Sequence, residues 1–459
     1  MSGKEALFLT RDMTKGRPLG LIVSFALPLL AGMLFQQLYN FVDAMIVGRF
    51  LGVNALAGVG ATGSINFLVL GFCMGVCAGF SIPLAQRFGA GELSRMREFA
   101  ANAIYLSAAF ALVMTTATVV FCRDILTAMD TPQDCMQEAY AYISVIFAGI
   151  PFAFLYNLTS GFLRALGDSK TPLFFLVLSS VMNVALDLLF ILGLDMGISG
   201  ASLATVISQA ASGLLCLGWI ALKVPALHIA GGEWRARGVR MTELCACGLP
   251  MGLQYSITAI GSVILQTAVN GLGAHCVAAV TATGKVFGFL ACPFDALGST
   301  MATYTAQNAG AGKYDRLNRG VFSASLMGFV YSLGALVFAV CLGDDAVMLF
   351  VSGAETEIIT LAHRYMMVSA VFCPFLTLVN VVRFAIQGMG FSALAVLAGV
   401  LEMAARMLAG LLLVPALGFT GAMLGSPLAW VLADLFLVPA YFRCRRVLMT
   451  RVHHRYDPA

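Results

Sequence analysis

Eight ionisable side chains fall inside or at the edge of long apolar runs of a 459-residue sequence: Asp43, Asp187, Lys285, Asp295, Arg383, Glu402, Arg406 and Asp434. A charge at the middle of a bilayer costs roughly 2.5–3.5 kcal/mol on insertion scales, so each needs a partner or a task. Four oxygen-bearing side chains group by spacing. Asn183 stands one helical turn before Asp187, which puts both on one face. Asp187 lies seven residues before the end of its run, and Thr205 lies seven residues into the next. At 1.5 Å per residue each is about 10 Å deep. Asp43 is at the corresponding end of the first run. Two acids, an amide and a hydroxyl can hold a proton between carboxylates, or supply hard oxygen ligands to a small cation such as sodium. Asp43, Asn183, Asp187 and Thr205 are therefore the expected proton- or sodium-coupling site. The bland alternative is that the two acids cap helix ends or face water.

A second set lies further on. Glu402 and Arg406 are spaced i, i+4 with the acid first, a favourable order in one helix. Asp434, on the next run, is expected to reach Arg406. Glu402, Arg406 and Asp434 form either a neutralised structural network or a second coupling site. Arg383 is expected to snorkel to the nearer interface. Lys285 and Asp295 have no partner that spacing assigns. The 23 Met are flexible and polarizable, which suits a cavity for varied apolar shapes. Met33 and Met182, with Gln37, Asn40 and Asn157, are the candidates for lining a substrate cavity.

Catalytic patterns do not stand out. No GxxxxGK[ST] run and no HExxH occur, and four of the five His lie in loops or the tail. The twelve Cys are scattered without zinc spacing and read as small apolar fillers. No enzyme activity and no cofactor beyond a coupling ion are expected.

The elements that must position these residues follow from composition. Apolar residues make up 60% and charged residues 11%, against about 45–50% and about 25% in soluble domains. Twelve apolar runs can be read: 19–41, 55–85, 101–122, 140–163, 172–194, 198–222, 244–270, 277–307, 321–342, 365–388, 392–414 and 421–442. Each exceeds the ~20 residues needed to cross a bilayer as a helix. The first is too long for a signal-peptide core and leads straight into the second. Of the 27 Lys and Arg, all but six fall on the N-terminal side of the membrane. The exceptions are Arg49, Arg123 and Arg364 in opposite loops, and Lys285, Arg383 and Arg406 within runs. The positive-inside rule then places both termini in the cytoplasm, for a multi-pass protein of the plasma (inner) membrane. The net charge of +4 reports topology, and no nucleic-acid partner is expected.

The chain repeats itself. Ala61-Thr62-Gly63 recurs as Ala282-Thr283-Gly284. Gln86-x-x-Gly89-Ala90-Gly91 recurs as Gln307-x-x-Gly310-Ala311-Gly312, and Gly197-x-x-Gly200-Ala201 as Gly418-x-x-Gly421-Ala422. All three share one shift of 221. Leu27-Pro28 matches Leu249-Pro250 one residue further, and Pro151, Asn157 and Gly167 match Pro374, Asn380 and Gly390 at 223. Each half has six runs, an even number, so both enter the membrane from the same side in a parallel repeat. The expected organisation is a bundle over 1–222, a linker over 223–243, a second bundle over 244–446 and a tail over 447–459. At the 221 shift, Asp43, Asn183 and Asp187 map to Ile264, Ala404 and Leu408, and Thr205 to Ser426. A cluster needed only for the fold would recur in both halves.

The sequence resembles the multidrug and toxic compound extrusion (MATE) transporters. The resemblance is carried by Gln37-Leu38-Tyr39-Asn40-x-x-Asp43-x-x-x-Val47-Gly48, by Gln86-x-x-Gly89-Ala90-Gly91, and by Gly161-x-x-Arg164-Ala165-x-Gly167-Asp168-x-Lys170-Thr171-Pro172. Asn183-x-x-x-Asp187 and Gly197-x-x-Gly200-Ala201 extend it over nearly the whole chain. It implies an all-α fold of twelve spans in a V-shaped pair of six-helix bundles. It also implies antiport, with amphipathic or cationic small molecules exported against protons or sodium. On that resemblance Asp43 is the coupling carboxylate, and Asn183, Asp187 and Thr205 complete its site. A sodium-coupled branch of the family also uses acids in helices seven and ten. Here helix seven has only Glu243 at its start, and 365–388 holds no acid. The alternative within the same superfamily is a flippase for lipid-linked sugars or lipids. A monomer in the lipid bilayer is expected.

Overall fold

The structure, a computed structural model, describes residues 11–129, 131–351 and 355–456. Lys4, Asp130, residues 352–354 of the loop at 344–357, and the last three residues of the expected tail lie outside it.

Among the described residues the regular structure is all helical. Its first half runs α1 (Pro18–Phe50), α2 (Val53–Gly89), α3 (Leu93–Val120), α4 (Cys122–Ala128), α5 (Met136–Ala148), α6 (Ile150–Ala165), α7 (Lys170–Leu188) and α8 (Gly197–Lys223). The second runs α9 (Gly238–Asn270), α10 (Ala274–Gly310), α11 (Tyr314–Met348), α12 (Thr356–Val371), α13 (Cys373–Gly388), α14 (Ser392–Leu408), α15 (Val414–Leu417) and α16 (Phe419–Tyr456). Among the described residues ten helices are long and apolar enough to cross a membrane, and twelve spans result if each of two bent pairs counts as one.

The bent pairs revise a detail of the expected spans. The runs at 140–163 and 365–388 are not single straight helices. α5 and α6 meet at 48°, α12 and α13 at 49°. Pro151 and Pro374 stand in the first turn of α6 and α13. Proline has no N–H and its ring clashes with the carbonyl four residues back, so a helix arriving there must bend. The last run also extends: α16 continues unbroken from Phe419 to Tyr456.

The repeated glycines have a backbone reason. Gly91 and Gly312 have φ of 74° and 69°, and Gly197 and Gly418 have 60° and 58°. These left-handed turns tolerate no Cβ without strain. Each closes a connection between helices in one half and its counterpart in the other.

Two compact units emerge. Among the described residues, one comprises 11–12 and 31–252, the other 13–30 and 253–456. The division falls inside α1 and α9, just after Pro28 and Pro250. In the first unit α2 meets the start of α9 through small residues. A Cβ on Gly79 would collide with the backbone of Cys247 and Gly248, and one on Gly75 with Met251 and Gly252. Close approach through small residues is how membrane helices gain dispersion contact without a hydrophobic drive between them. The second unit does the same where α13 meets α10, with Gly388 against Ala302 and Thr305.

Each unit also holds a polar strap. In the first, the segment before α9 is tied to α3. Glu233 accepts from Arg97 Nε at 2.7 Å and from Ser94 at 2.8 Å. Arg237 N–H donates to Asn102 at 2.9 Å. In the second, Met13 N–H donates to Gln307 at 2.8 Å, and Arg316 donates to the Gly16 carbonyl at 2.9 Å. Gln307 is the first residue of the repeated Gln-x-x-Gly-Ala-Gly motif, which gives that motif a task.

Candidate ion-coupling site

The first unit brings all four expected residues together. Asn183 and Asp187 stand on the last turns of α7, Thr205 on α8 and Asp43 on α1. Small residues let α8 come close: Ala201, Ser202 and Ala204 are fully buried, and Gly200 would place a Cβ 3.0 Å from Phe190. One turn beyond Asp187 the helix widens into a π-turn, Leu189–Gly193. Such turns frequently accompany functional sites. The second half has a counterpart at Ala409–Leu413 but carries no acid beside it.

The four side chains form a connected set. Asp187 is fully buried, Asn183 is 2% and Asp43 8% exposed. The Asp43 and Asp187 carboxyls are close enough to interact electrostatically. Asn183 Nδ2 reaches Thr205 Oγ1 at 3.4 Å. With its amide turned over, it donates to Asp187 Oδ2 at 3.3 Å and accepts from Thr205 N–H at 3.2 Å. That orientation satisfies a donor and an acceptor together. One oxygen of each acid, Oδ1 of Asp43 and of Asp187, is buried without a hydrogen-bond partner. Two ionised carboxylates in contact repel strongly where water is excluded. A proton shared between them, or a cation bridging them, removes the repulsion and occupies the unpartnered oxygens.

Two tyrosines complete the surroundings, and spacing did not single them out. Tyr39 and Tyr142 lie within charge-interaction range of both acids. Tyr39 stands one helical turn before Asp43, a legible signal. Tyr142 arrives from α5, and only the tertiary structure shows it.

Of the expected cavity residues, Met33, Gln37 and Asn40 follow at helical spacing on α1, on a face leading toward Asp43. Asn157 on α6 spends its amide on the Ala153 carbonyl at 2.8 Å. Met182 is half-buried on α7.

The second unit holds the other charges. Glu402 lies between two arginines: it contacts Arg383 and receives Arg406 at 3.4 Å. Arg383 therefore does not snorkel. It is 5% exposed, because a buried carboxylate one helix away stabilises it more than a distant interface. Asp434 interacts with Arg383; both its oxygens are buried without a hydrogen bond. Asp295 also feels Arg383.

Ten to twelve candidate spans among the described residues define a polytopic membrane protein, a buried acid pair lies within its first unit, and no hydrolytic or group-transfer constellation accompanies that pair among the described residues. The chain belongs to the MatE family: its model matches residues 28–189 and again residues 250–413. It is a transporter, not an enzyme. "Probable multidrug resistance protein YoeA" of Bacillus subtilis (strain 168) is 28% identical over 75% of this chain and 76% of its own. "Probable multidrug resistance protein YpnP" of the same organism is 28% identical over 80% of this chain and 81% of its own. A solved structure described as MATE in the bent conformation superposes with a TM-score of 0.89 at 21% identity, covering 98% of this chain and 99% of that one.

Proposed function

We propose that this transporter is a cation-coupled exporter of amphipathic, cationic organic compounds, driven by proton or sodium entry. The observation that carries the reading is the Asp43–Asp187 pair: two buried, interacting acids, on a scaffold whose repeat places Ile264 and Leu408 at the matching positions. The names of the two Bacillus relatives support the substrate class. Both termini are assigned to the cytoplasm from the Lys/Arg bias, and the internal repeat supports reading the chain as a bundle over 1–222, a linker over 223–243, a second bundle over 244–446 and a tail over 447–459.

The mechanism follows from the pair. A proton or cation arriving between Asp43 and Asp187 cancels their repulsion and weakens their attraction for a cationic substrate. An ion shifts two conformations only by its differential affinity for them, so removing the titrating group removes coupling. Asp43→Asn keeps size and polarity but cannot ionise. It is expected to insert normally and to lose gradient-driven ethidium efflux, measured in cells with and without an uncoupler at equal expression. Export by Asp43→Asn at the parent rate overturns the assignment.

A further inference from the structure

In the second unit a cavity of about 660 Å³ runs along α10. Ala274, Val277, Ala278, Thr281, Ala282 and Lys285 line it at i, i+3, i+4, i+7, i+8 and i+11, one continuous helical face. Asn270 stands at its mouth, and Phe350 and Val351 close its side. The volume lies within the ~300–1,000 Å³ common for small-molecule sites. Lys285 is eleven residues past the start of α10, about 16 Å along the helix axis.

Lys285 differs from the other charges of this unit. Arg383 and Arg406 share Glu402. The acids toward the helix ends are engaged by histidines, Glu357 with His275 and Asp344 with His363, both at 2.8 Å. Lys285 has no ion pair and no hydrogen bond among the described residues, and no described lining residue is acidic. Lys285 is exposed along this face of a membrane-length helix, and basic residues within a span mark substrate or ion paths. The mouth adds positive potential of its own, since α10 begins at Gly273 without a side-chain cap.

We propose that this cavity is an anion-accepting subsite, taking amphipathic molecules whose carboxylate, sulfonate or phosphate pairs with Lys285 while a ring system lies on Val277, Ala278 and Phe350. Thr281, one turn before Lys285, offers a hydroxyl to the same group. The substrate range then extends to anions that the acid pair of the first unit would repel. Only the direction of their movement rests on the proposed export function; binding does not.

The test is equilibrium binding of fluorescein, a polycyclic dianion, to the purified full chain in detergent, read by polarisation. The parent protein is expected to bind it. Lys285→Gln is expected to weaken binding about tenfold or more, and Lys285→Arg to stay within about threefold of the parent. Ala278→Trp fills the cavity with Lys285 still present and is expected to abolish binding. Monodisperse elution and parent-like thermal stability establish that each variant is folded. Absence of fluorescein binding to the parent, or equal affinity for the folded parent and Lys285→Gln, overturns the proposal. Ethidium efflux by Lys285→Gln is expected at the parent rate, so the cationic export function stands or falls separately, on Asp43→Asn.

Discussion

Asp187 is the more enclosed of the two paired acids, and Asn183 is the group that holds it. Its amide, spanning Asp187 and the Thr205 backbone, fixes the carboxylate against α8. Asp43 is left as the partner that approaches from another helix. Residues of the second unit behave differently. Glu402 serves two buried arginines, so Glu402→Gln leaves both without their carboxylate. Breaking a buried pair on one side typically costs about 3–5 kcal/mol. The expected outcome is a lower thermal midpoint in detergent, with near-parent ethidium efflux per folded molecule. An unchanged midpoint together with lost efflux would instead make Glu402 a coupling group. The i, i+4 pair of Glu402 and Arg406 was legible in the sequence. Arg383 was not, because it comes from another helix and its depth depends on that contact.

At the scale of elements, the bend between α5 and α6 packs against the residue next to Thr205. A Cβ on Gly149 would strike the Val206 side chain, next to Thr205. Valine is stiff at χ1 and cannot swing away, so α8 itself must shift. Gly149→Ala is expected to impair efflux, and the double variant Gly149→Ala/Val206→Ala to recover most of it. A double variant no better than the single one would disconnect the bend from the site. The strap before α9 offers a pH-dependent readout. Its Glu233 carboxyl is pushed down to about 2, first by the hydrogen bond from Arg97, with the Ala230 N–H and Ser94 adding to it. A depressed carboxyl stabilises the strap fully above its ordinary value of 4.5 and loses that contribution as pH falls toward 2. Trp234 packs edge-on against Tyr105 at 6.1 Å. In a protein whose only tryptophan is Trp234, its fluorescence is expected to hold from pH 7 to about 4.5 and to change below. Glu233→Gln should give the low-pH signal at neutral pH; a variant indistinguishable from the parent would show that the carboxylate does not hold the strap.

For the whole molecule, orientation is the remaining expectation to measure. Reporter fusions that fluoresce only in the cytoplasm are expected to be bright at Gly91, Gly232, Gly312 and the C-terminus, and dark at Asp195 and Gly418. The reverse pattern would invert the assigned topology. The sequence by itself determined that the chain crosses a membrane many times, that it is one six-run unit written twice, and that its acids are concentrated unequally between the halves. Those are one-dimensional properties: apolar length, charge bias, and glycines whose left-handed turns keep one shift in both halves. The tertiary structure decided what depends on distance between helices. It brought Asp43 to Asp187 and added Tyr142. It buried Arg383 against Glu402 and left Lys285 in a cavity without an ion pair among the described residues. Periodicity says which face of a helix a residue occupies, but only packing says which other helix meets that face, and the electrostatic fate of a buried charge is set by that neighbour.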